Sequence, residues 1–137
     1  MNHKDTKTQR EPIPLEVDRI SREVVDAIYS VHSTLGPGLF ESVYEVCLAH
    51  ELTQRGLKVE RQVALPVHYG GVRLEAGLRL DLLVENCLVV ELKTVESLLP
   101  VHKAQILTYL KLSHHRVGLL VNFNVPLIKN GIVRVVL

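Results

Sequence analysis

The chain contains no tryptophan, and aromatic residues make up only 4% of its 137 residues. Proteins that hold single-stranded nucleic acid without sequence preference stack successive bases on aromatic side chains. So small an aromatic content argues against a surface built to stack many bases. Any contact with nucleic acid is therefore expected to involve mainly the phosphate backbone.

The chain is also poor in cysteine, with only Cys47 and Cys87. Two thiols cannot supply the four ligands of a structural zinc site, and one pair provides no disulfide framework. Because Cys47 falls on the apolar stripe of a predicted helix, a zinc or redox enzyme is the least favoured function. So few cysteines are typical of a reducing compartment, which predicts a cytoplasmic protein.

Long apolar runs and an excess of one charge are missing as well. No segment approaches the roughly 18 consecutive apolar residues that cross a bilayer, and the polar residues 1–14 lack the apolar centre of a signal peptide. Neither membrane insertion nor secretion is expected. The 16 basic and 15 acidic residues leave a formal net charge of +1, so an anionic partner must be met by a local basic patch.

What the chain does contain is 47% hydrophobic and 23% charged residues, a composition typical of folded soluble domains. Its length allows one hydrophobic core. We assign residues 1–14 to a flexible N-terminal arm outside that core, because this segment has no apolar face and ends in two prolines. Residues 15–137 are assigned to a single domain.

Three segments show the three- and four-residue spacing of amphipathic helices. The first is broken by the glycines and proline of residues 36–38, and the third opens with Pro100, which suits the first turn of a helix. The predicted helices run approximately over residues 16–34, 39–56 and 100–113.

The remaining segments show period-two alternation or short apolar runs, which predict strands. Gly70 and Gly71 predict a tight turn between two of them. The order of elements predicts an α/β or α+β domain, with helices flanking one mixed central sheet. The predicted strands are 57–69, a short return at 72–74, then 78–84, 88–92, 117–121 and 132–137.

Two neighbouring predicted strands carry charged residues within apolar sequence. Asp81 interrupts one run, and Glu91 and Lys93 close the next. If residues 85–87 form a three-residue loop, Asp81 lies opposite Glu91. Arg79 then lies opposite Lys93 on the same face of the sheet. A two-residue loop would instead place the two carboxylates on opposite faces, unless a bulge intervened.

Two carboxylates on one sheet face repel each other unless a cation lies between them, and hard oxygen ligands suit Mg²⁺ or Mn²⁺. Lys93 could orient or deprotonate an attacking water, or stabilise charge on a phosphate, while the metal polarises the phosphoryl oxygen. This combination is the chemistry of phosphodiester hydrolysis. An ordinary cross-strand network of solvated charged side chains is the alternative that stays open.

These residues resemble motifs of a known superfamily. Asp81, followed on the next strand by Glu91-Leu92-Lys93, resembles the metal site of the PD-(D/E)XK nucleases. The later Gln105-Ile106-Leu107-Thr108-Tyr109 is similar to the Gln-x-x-x-Tyr element of the RecB-like branch. Gly38-Leu39-Phe40-Glu41-Ser42-Val43-Tyr44 matches the signature of the GxxExxY protein family. The resemblance covers roughly residues 16–137 and implies a restriction-endonuclease-like core.

The resemblance implies a metal site. Asp81 and Glu91 would be the principal ligands of Mg²⁺ or Mn²⁺, and Leu92 would lend its backbone carbonyl. Glu41, on the second helix, resembles the helical acid that joins this site in RecB-like nucleases. The position before the aspartate holds Leu80, where the superfamily's nominal sequence has a proline.

The resemblance also implies three catalytic residues. Lys93 would be the catalytic lysine. Gln105 and Tyr109 lie one helical turn apart and share a helix face, from which they could hold Lys93, the metal-bound water or a phosphate.

Three further residues are candidates for substrate binding: Tyr44, Arg79 and His102. Tyr44 lies one turn from Glu41 and could hold that carboxylate, or could equally be a core tyrosine. His102 shares the stripe of Gln105, with a solvated histidine at the helix start as the favoured alternative. Arg79 is one of several basic residues that could contact phosphates.

Together these features predict a metal-dependent nuclease, or a nuclease-like nucleic-acid-processing protein, that hydrolyses phosphodiester bonds with a metal-activated water. The expected substrate is nucleic acid, with DNA favoured over RNA. The alternative function is a non-catalytic nucleic-acid-binding or assembly module that retains a nuclease-like site. A third helix that is apolar almost all round also predicts a homodimer, and a larger protein partner is the further alternative.

Overall fold

The computed structural model describes residues 11–137. Most of the predicted N-terminal arm, residues 1–10, lies outside that range, and residues 11–14 have no regular secondary structure. Ile13 nevertheless packs, partly buried, against the hydrophobic core. This contact is favourable because an isoleucine beside a helix start gains free energy by leaving water.

Three helices form close to the predicted bounds: α1 is Leu15–Leu35, α2 is Glu41–Gln54 and α3 is Pro100–Ser113. α1 stops where Gly36 takes a φ of 70°, a left-handed conformation that costs glycine little. Within residues 11–137, no helix combines the length and hydrophobicity needed to cross a membrane.

Five strands form one sheet whose spatial order follows the chain. Neighbouring strands are antiparallel, except that β3 and β4 run parallel. A parallel pair cannot be joined by a tight turn, and α3 lies in the connection between these two strands. The prediction of helices flanking a mixed sheet is confirmed. The strands are β1 Val59–Tyr69, β2 Val72–Val84, β3 Leu88–Lys93, β4 Val117–Asn122 and β5 Ile132–Val136.

β2 is longer than the sequence predicts, since the expected short return and the following strand are one element. Its pairing with β1 passes from Leu65–Leu78 to Val67–Leu74 across a shift in register. Gly77 lies in this shift with a φ of 77°, which a residue with a Cβ rarely adopts. The glycine lets the chain bulge without ending the strand.

A hydrophobic layer covers each face of the sheet. α1 and α2 contribute to one layer, where Tyr44, Leu48 and Phe123 are fully buried, and α3 contributes Ile106 and Leu110 to the other. Along β3, Val90 and Leu92 belong to the first layer and Val89 to the second. Because side chains alternate along a strand, Glu91 and Lys93 lie on the side of α3.

Candidate functional site

The candidate site lies where β2 and β3 separate. Val84 pairs with Leu88, so the connection is the three-residue loop that the catalytic interpretation requires. Continuing this register places Asp81 opposite Glu91, although the ladder of paired residues ends one step earlier, at Leu82 and Val90.

Beyond the end of the paired residues, the carboxylates of Asp81 and Glu91 each accept a hydrogen bond from a backbone N–H of the other strand. The Asp81 N–H donates to Glu91 Oε1 at 3.0 Å, and the Leu92 N–H donates to Asp81 Oδ2 at 2.8 Å. Among the described residues, no backbone N–H donates to Asp81 Oδ1 or Glu91 Oε2, although the two carboxyl groups can share a hydrogen bond when one of them is protonated. Each carboxylate is therefore held by one oxygen and keeps the other for a proton, a water or a cation.

Burial makes this pair electrostatically unfavourable when both groups are charged. Glu91 is only 4% exposed, and burial, with the negative charge of Asp81, raises the pKa of Glu91 to about 8. Burial also raises the pKa of Asp81, with a further contribution from the charge of Glu45. A site that disfavours two negative charges is stabilised by a proton or by a bound cation.

A chain of hydrogen bonds connects Lys93 to α3. The Lys93 ammonium donates to Gln105 Oε1 at 2.9 Å, and the Gln105 amide donates to the Tyr109 hydroxyl at 3.1 Å. Burial and the charge of Glu91 raise the pKa of Tyr109, so its hydroxyl stays protonated near neutral pH. The structure thus brings together the three residues predicted as catalytic.

The same side chains line an open groove of about 700 Å³ between β3 and α3. Its wall adds apolar Leu78 and Val101 to the polar Lys93, His102 and Tyr109. A groove of this size beside the carboxylate pair could admit a backbone phosphate with its sugar.

Glu41 is the first residue of α2 and is exposed. Partial desolvation and the nearby charge of Asp81 raise the pKa of Glu41, while the charge of Lys93 lowers it, so this carboxylate lies within electrostatic reach of the site. Within residues 11–137, no three histidine, cysteine or acidic side chains converge as a metal-binding group. Glu41 therefore does not complete a three-carboxylate cluster with the strand pair.

Tyr44 does not reach this site. Its side chain is fully buried and stacks on Phe123, with ring centroids 4.5 Å apart. The hydroxyl donates to the Gly36 carbonyl at 2.6 Å and accepts from the Leu39 N–H at 3.1 Å. Neither a bond to Glu41 nor a substrate contact is formed, because both functions of the hydroxyl serve the turn before α2. The core alternative is favoured.

His102 lies at the groove and is half-buried. Its Nδ1 accepts from the Leu99 N–H at 2.9 Å, so this nitrogen stabilises the start of α3 and Nε2 is left for another partner. Nδ1 therefore supports the interpretation of His102 as a histidine of the helix start, and Nε2 supports the interpretation as a substrate-binding residue.

Arg79 is exposed and pairs with Ala64 of β1. The predicted pairing with Lys93 is wrong, because the β2–β3 ladder does not continue that far.

Sequence reasoning missed two supporting groups. Glu45 is buried one helical turn beyond Glu41 and binds β1. Asn122 is 1% exposed, and its side chain binds both the N–H and the carbonyl of Val95, two residues after Lys93. The four-residue spacing of Glu41 and Glu45 could have indicated that both lie on the same face of α2. Nothing in the sequence near Asn122 indicates that its side chain reaches another loop.

The donor set fits a small hard cation. Two adjacent carboxylates, each with one oxygen left, together with the carbonyl of Leu92, match the few protein ligands that Mg²⁺ takes while keeping several waters. No sulfur or imidazole lies in the pair itself, so the ligands do not suit a softer metal.

A model of the PD-(D/E)XK nuclease superfamily matches residues 18–135. The chain belongs to this superfamily. No curated protein and no solved structure matches it in the same comparisons. In PD-(D/E)XK nucleases, which generally depend on divalent metal, the substrate is nucleic acid. The match spans every described helix and strand except the first residues of α1 and the end of β5, so the candidate site lies inside the matched region.

Proposed function

We propose that this PD-(D/E)XK protein is an Mg²⁺- or Mn²⁺-dependent phosphodiesterase that cleaves DNA, and that it belongs to the GxxExxY family in the RecB-like branch. The observation that carries the proposal is the reciprocal Asp81–Glu91 pair, which stands beside the hydrogen-bonded Lys93. In the proposal, Asp81 and Glu91 supply the carboxylate ligands for the metal. Lys93 supplies a positive charge on the same side of the sheet as Glu91.

In this proposal Asp81, Glu91 and the Leu92 carbonyl would hold the metal, and Glu41 would support the site from the start of α2. A bound divalent cation would polarise the scissile phosphate and lower the pKa of its water. Glu41 is suited to a supporting role because it is exposed and close enough for the charges of Asp81 and Lys93 to shift its pKa.

Lys93 stabilises the charge that develops on the phosphate. Gln105 accepts one of its N–H bonds and so limits where the ammonium points, and Tyr109 holds Gln105 in turn. The groove along α3 positions the nucleic-acid backbone, with His102 Nε2 and Arg79 available for neighbouring phosphates.

The deciding experiment titrates Mg²⁺ and Mn²⁺ into the full chain by calorimetry at fixed salt and pH, then adds labelled DNA and RNA. Wild type should bind metal and cleave, and Asp81→Ala/Glu91→Ala should do neither. Lys93→Ala should bind metal but lose at least about a hundredfold of the cleavage rate. Matched controls are Glu75→Ala and Lys129→Ala, two exposed residues away from the site.

The second candidate function is a binding or assembly module without turnover. One observation favours it: the Asp81 and Glu91 side chains hydrogen-bond the backbone of each other's strand, and joining β2 to β3 is a structural role that needs no turnover. Under this alternative, the double variant would lower the melting temperature, and wild type would bind nucleic acid without cleaving it at any metal concentration.

We further propose a protein partner and a cellular location. A homodimer, or a larger protein partner, would cover the exposed apolar residues Leu99 and Val101 at the start of α3. A cytoplasmic location is supported by Cys47 and Cys87, which are both free thiols, as is usual in a reducing compartment.

A further inference from the structure

Glu45 is a buried carboxylate that the proposed mechanism does not use. It lies on α2, one turn after Glu41, and is 6% exposed. A buried carboxylate needs partners that offset its lost hydration. Glu45 finds both of them on β1.

Each oxygen of Glu45 has its own partner. Gln62 donates its amide N–H to Oε1 at 2.6 Å. Arg61 donates to Oε2 through Nε at 3.1 Å, and its Nη2 lies 3.0 Å from the same oxygen. Because both oxygens are engaged, Glu45 is poorly placed to be a metal ligand, in contrast to the half-engaged Asp81 and Glu91.

Gln62 has an unusual backbone. Its φ is 52°, which lies in the left-handed region that residues with a Cβ rarely adopt. Such a conformation persists when its surroundings hold it. The short bond from the Gln62 amide to Glu45 is the contact that ties this side chain down.

The strained residue lies directly across from Asp81. On either side the β1–β2 pairing is regular, with Arg61 opposite Leu82 and Val63 opposite Leu80, but Gln62 and Asp81 are not paired. At this level Asp81 has no ladder partner on β3 either. Asp81 is thus free to donate its N–H to the Glu91 carboxylate and to turn its own carboxylate to Leu92.

We propose that Glu45 is a positioning residue that acts through Gln62: it holds the gap in the β1–β2 pairing that lets Asp81 and Glu91 adopt their reciprocal geometry. The inference deepens the proposed function, because that geometry is what would hold the metal. Glu45 itself touches neither metal nor substrate.

The test compares Glu45→Gln, Glu45→Ala, Gln62→Ala and Gln62→Gly with wild type. Its first readout is hydrogen exchange of the Asp81 and Leu92 amides in metal-free protein. Glu45→Ala and Gln62→Ala should speed exchange of these two amides at least about tenfold, with the amide of Leu119 in β4 unchanged. Gln62→Gly should have a smaller effect than Gln62→Ala, because glycine keeps the left-handed backbone without strain.

The second readout is Mn²⁺ affinity by calorimetry. Losing a residue that supports metal ligands typically costs 10- to 100-fold in affinity or activity, and we expect a loss in this range for Glu45→Ala. Glu45→Gln keeps the size of the side chain and should lose less, which guards against a folding defect. Glu51→Gln is the matched control, since Glu51 is on the same helix and binds an arginine, Arg55, away from the site.

The outcomes separate the two proposals. Unchanged exchange at Asp81 and Leu92 in all four variants would overturn the positioning role, whatever the protein does with metal. Faster exchange in a protein whose wild type neither binds metal nor cleaves would support the positioning role and contradict the proposed function.

Discussion

Glu91 shows at the residue scale how burial makes a charged residue chemically useful. Its carboxyl group lies among fully buried apolar neighbours on β3, and Asp81 is its hydrogen-bonded neighbour on β2. Deprotonating it in that position costs free energy that a solvated glutamate does not pay. The folded protein therefore holds a proton there that the unfolded chain releases at much lower pH.

The stability of the metal-free protein should fall as pH rises from about 5 to about 8. The folded pKa of Glu91, about 8, lies above its ordinary value of 4.5, so in this window the folded state binds more protons than the unfolded state and loses stability with pH. Urea denaturation with a chelator should show a fall of roughly 3 to 4 kcal/mol across this window. Glu91→Gln should flatten the dependence, whereas Glu75→Gln should not. A wild-type stability independent of pH would contradict the assignment.

Tyr44→Phe should lower stability and leave function intact. The change removes both bonds of the hydroxyl, to Gly36 and Leu39, and leaves their backbone groups without a partner, which costs about 1–3 kcal/mol. Because the side chain is fully buried, DNA affinity at fixed salt should stay within about twofold of wild type. A large loss of DNA affinity in a folded Tyr44→Phe variant would instead show that Tyr44 takes part in substrate binding. Tyr69→Phe, at an exposed tyrosine, is the control.

At the scale of elements, the geometry of the candidate site depends on the segments that follow β3. The segment after Lys93 is bound by Asn122 at the end of β4, and the Phe123 N–H donates to the Lys93 carbonyl at 3.0 Å. The short 3₁₀ helix Ile128–Gly131 in turn packs on this end of β4. The position of Lys93 is thus set by elements that come later in the chain.

Gly131→Ala should be strongly destabilising. A Cβ at this position would lie 2.2 Å from the Asn122 carbonyl oxygen, and a backbone atom cannot move aside as a flexible side chain can. We expect a loss of roughly 3 kcal/mol, as for an overpacked core, measured by urea denaturation. Asn130→Ala, at the exposed neighbour, should change stability by less than about 0.5 kcal/mol. A Gly131→Ala protein as stable as wild type would show that this end of β4 is not tightly packed.

At the scale of the whole molecule, α2, the central strands and α3 meet around one short stretch of β2 and β3. α3 buries Ile106 and Leu110 against the sheet, yet Val101 and the preceding Leu99 stay 64% and 53% exposed. Packing against the sheet thus explains only some of the apolar residues of α3, the feature on which the dimer prediction rests. Exposed apolar side chains beside a groove are typical of interaction surfaces.

We therefore expect sedimentation to show a dimer that Val101→Glu converts to monomer. A charge placed in an apolar interface would have to be desolvated on association, which is costly. Lys103→Glu, an exposed change on the same helix, is the control for charge alone. A wild type that sediments as a monomer at all concentrations would exclude the homodimer and leave the larger protein partner.

Much of the fold follows from local pattern. Helix and strand periods, the glycine turns and the proline at the start of α3 predicted nearly every element, because hydrogen bonding and side-chain alternation along a helix or strand depend on near neighbours. Pairing of Asp81 with Glu91 needed one further fact, the length of a loop. The sequence allowed two or three residues, and only the register of Val84 with Leu88 decided between them.

The sequence by itself determined most of the elements, the acidic and basic residues of the candidate site, and the resemblance to the PD-(D/E)XK superfamily, which the superfamily match confirms. Only the tertiary structure decided that Tyr44 is a core residue, that Arg79 does not meet Lys93, and that Glu45 holds Gln62 opposite Asp81. The physical reason is range: burial and hydrogen bonds between separate elements depend on residues that are distant along the chain, and the local sequence does not encode them.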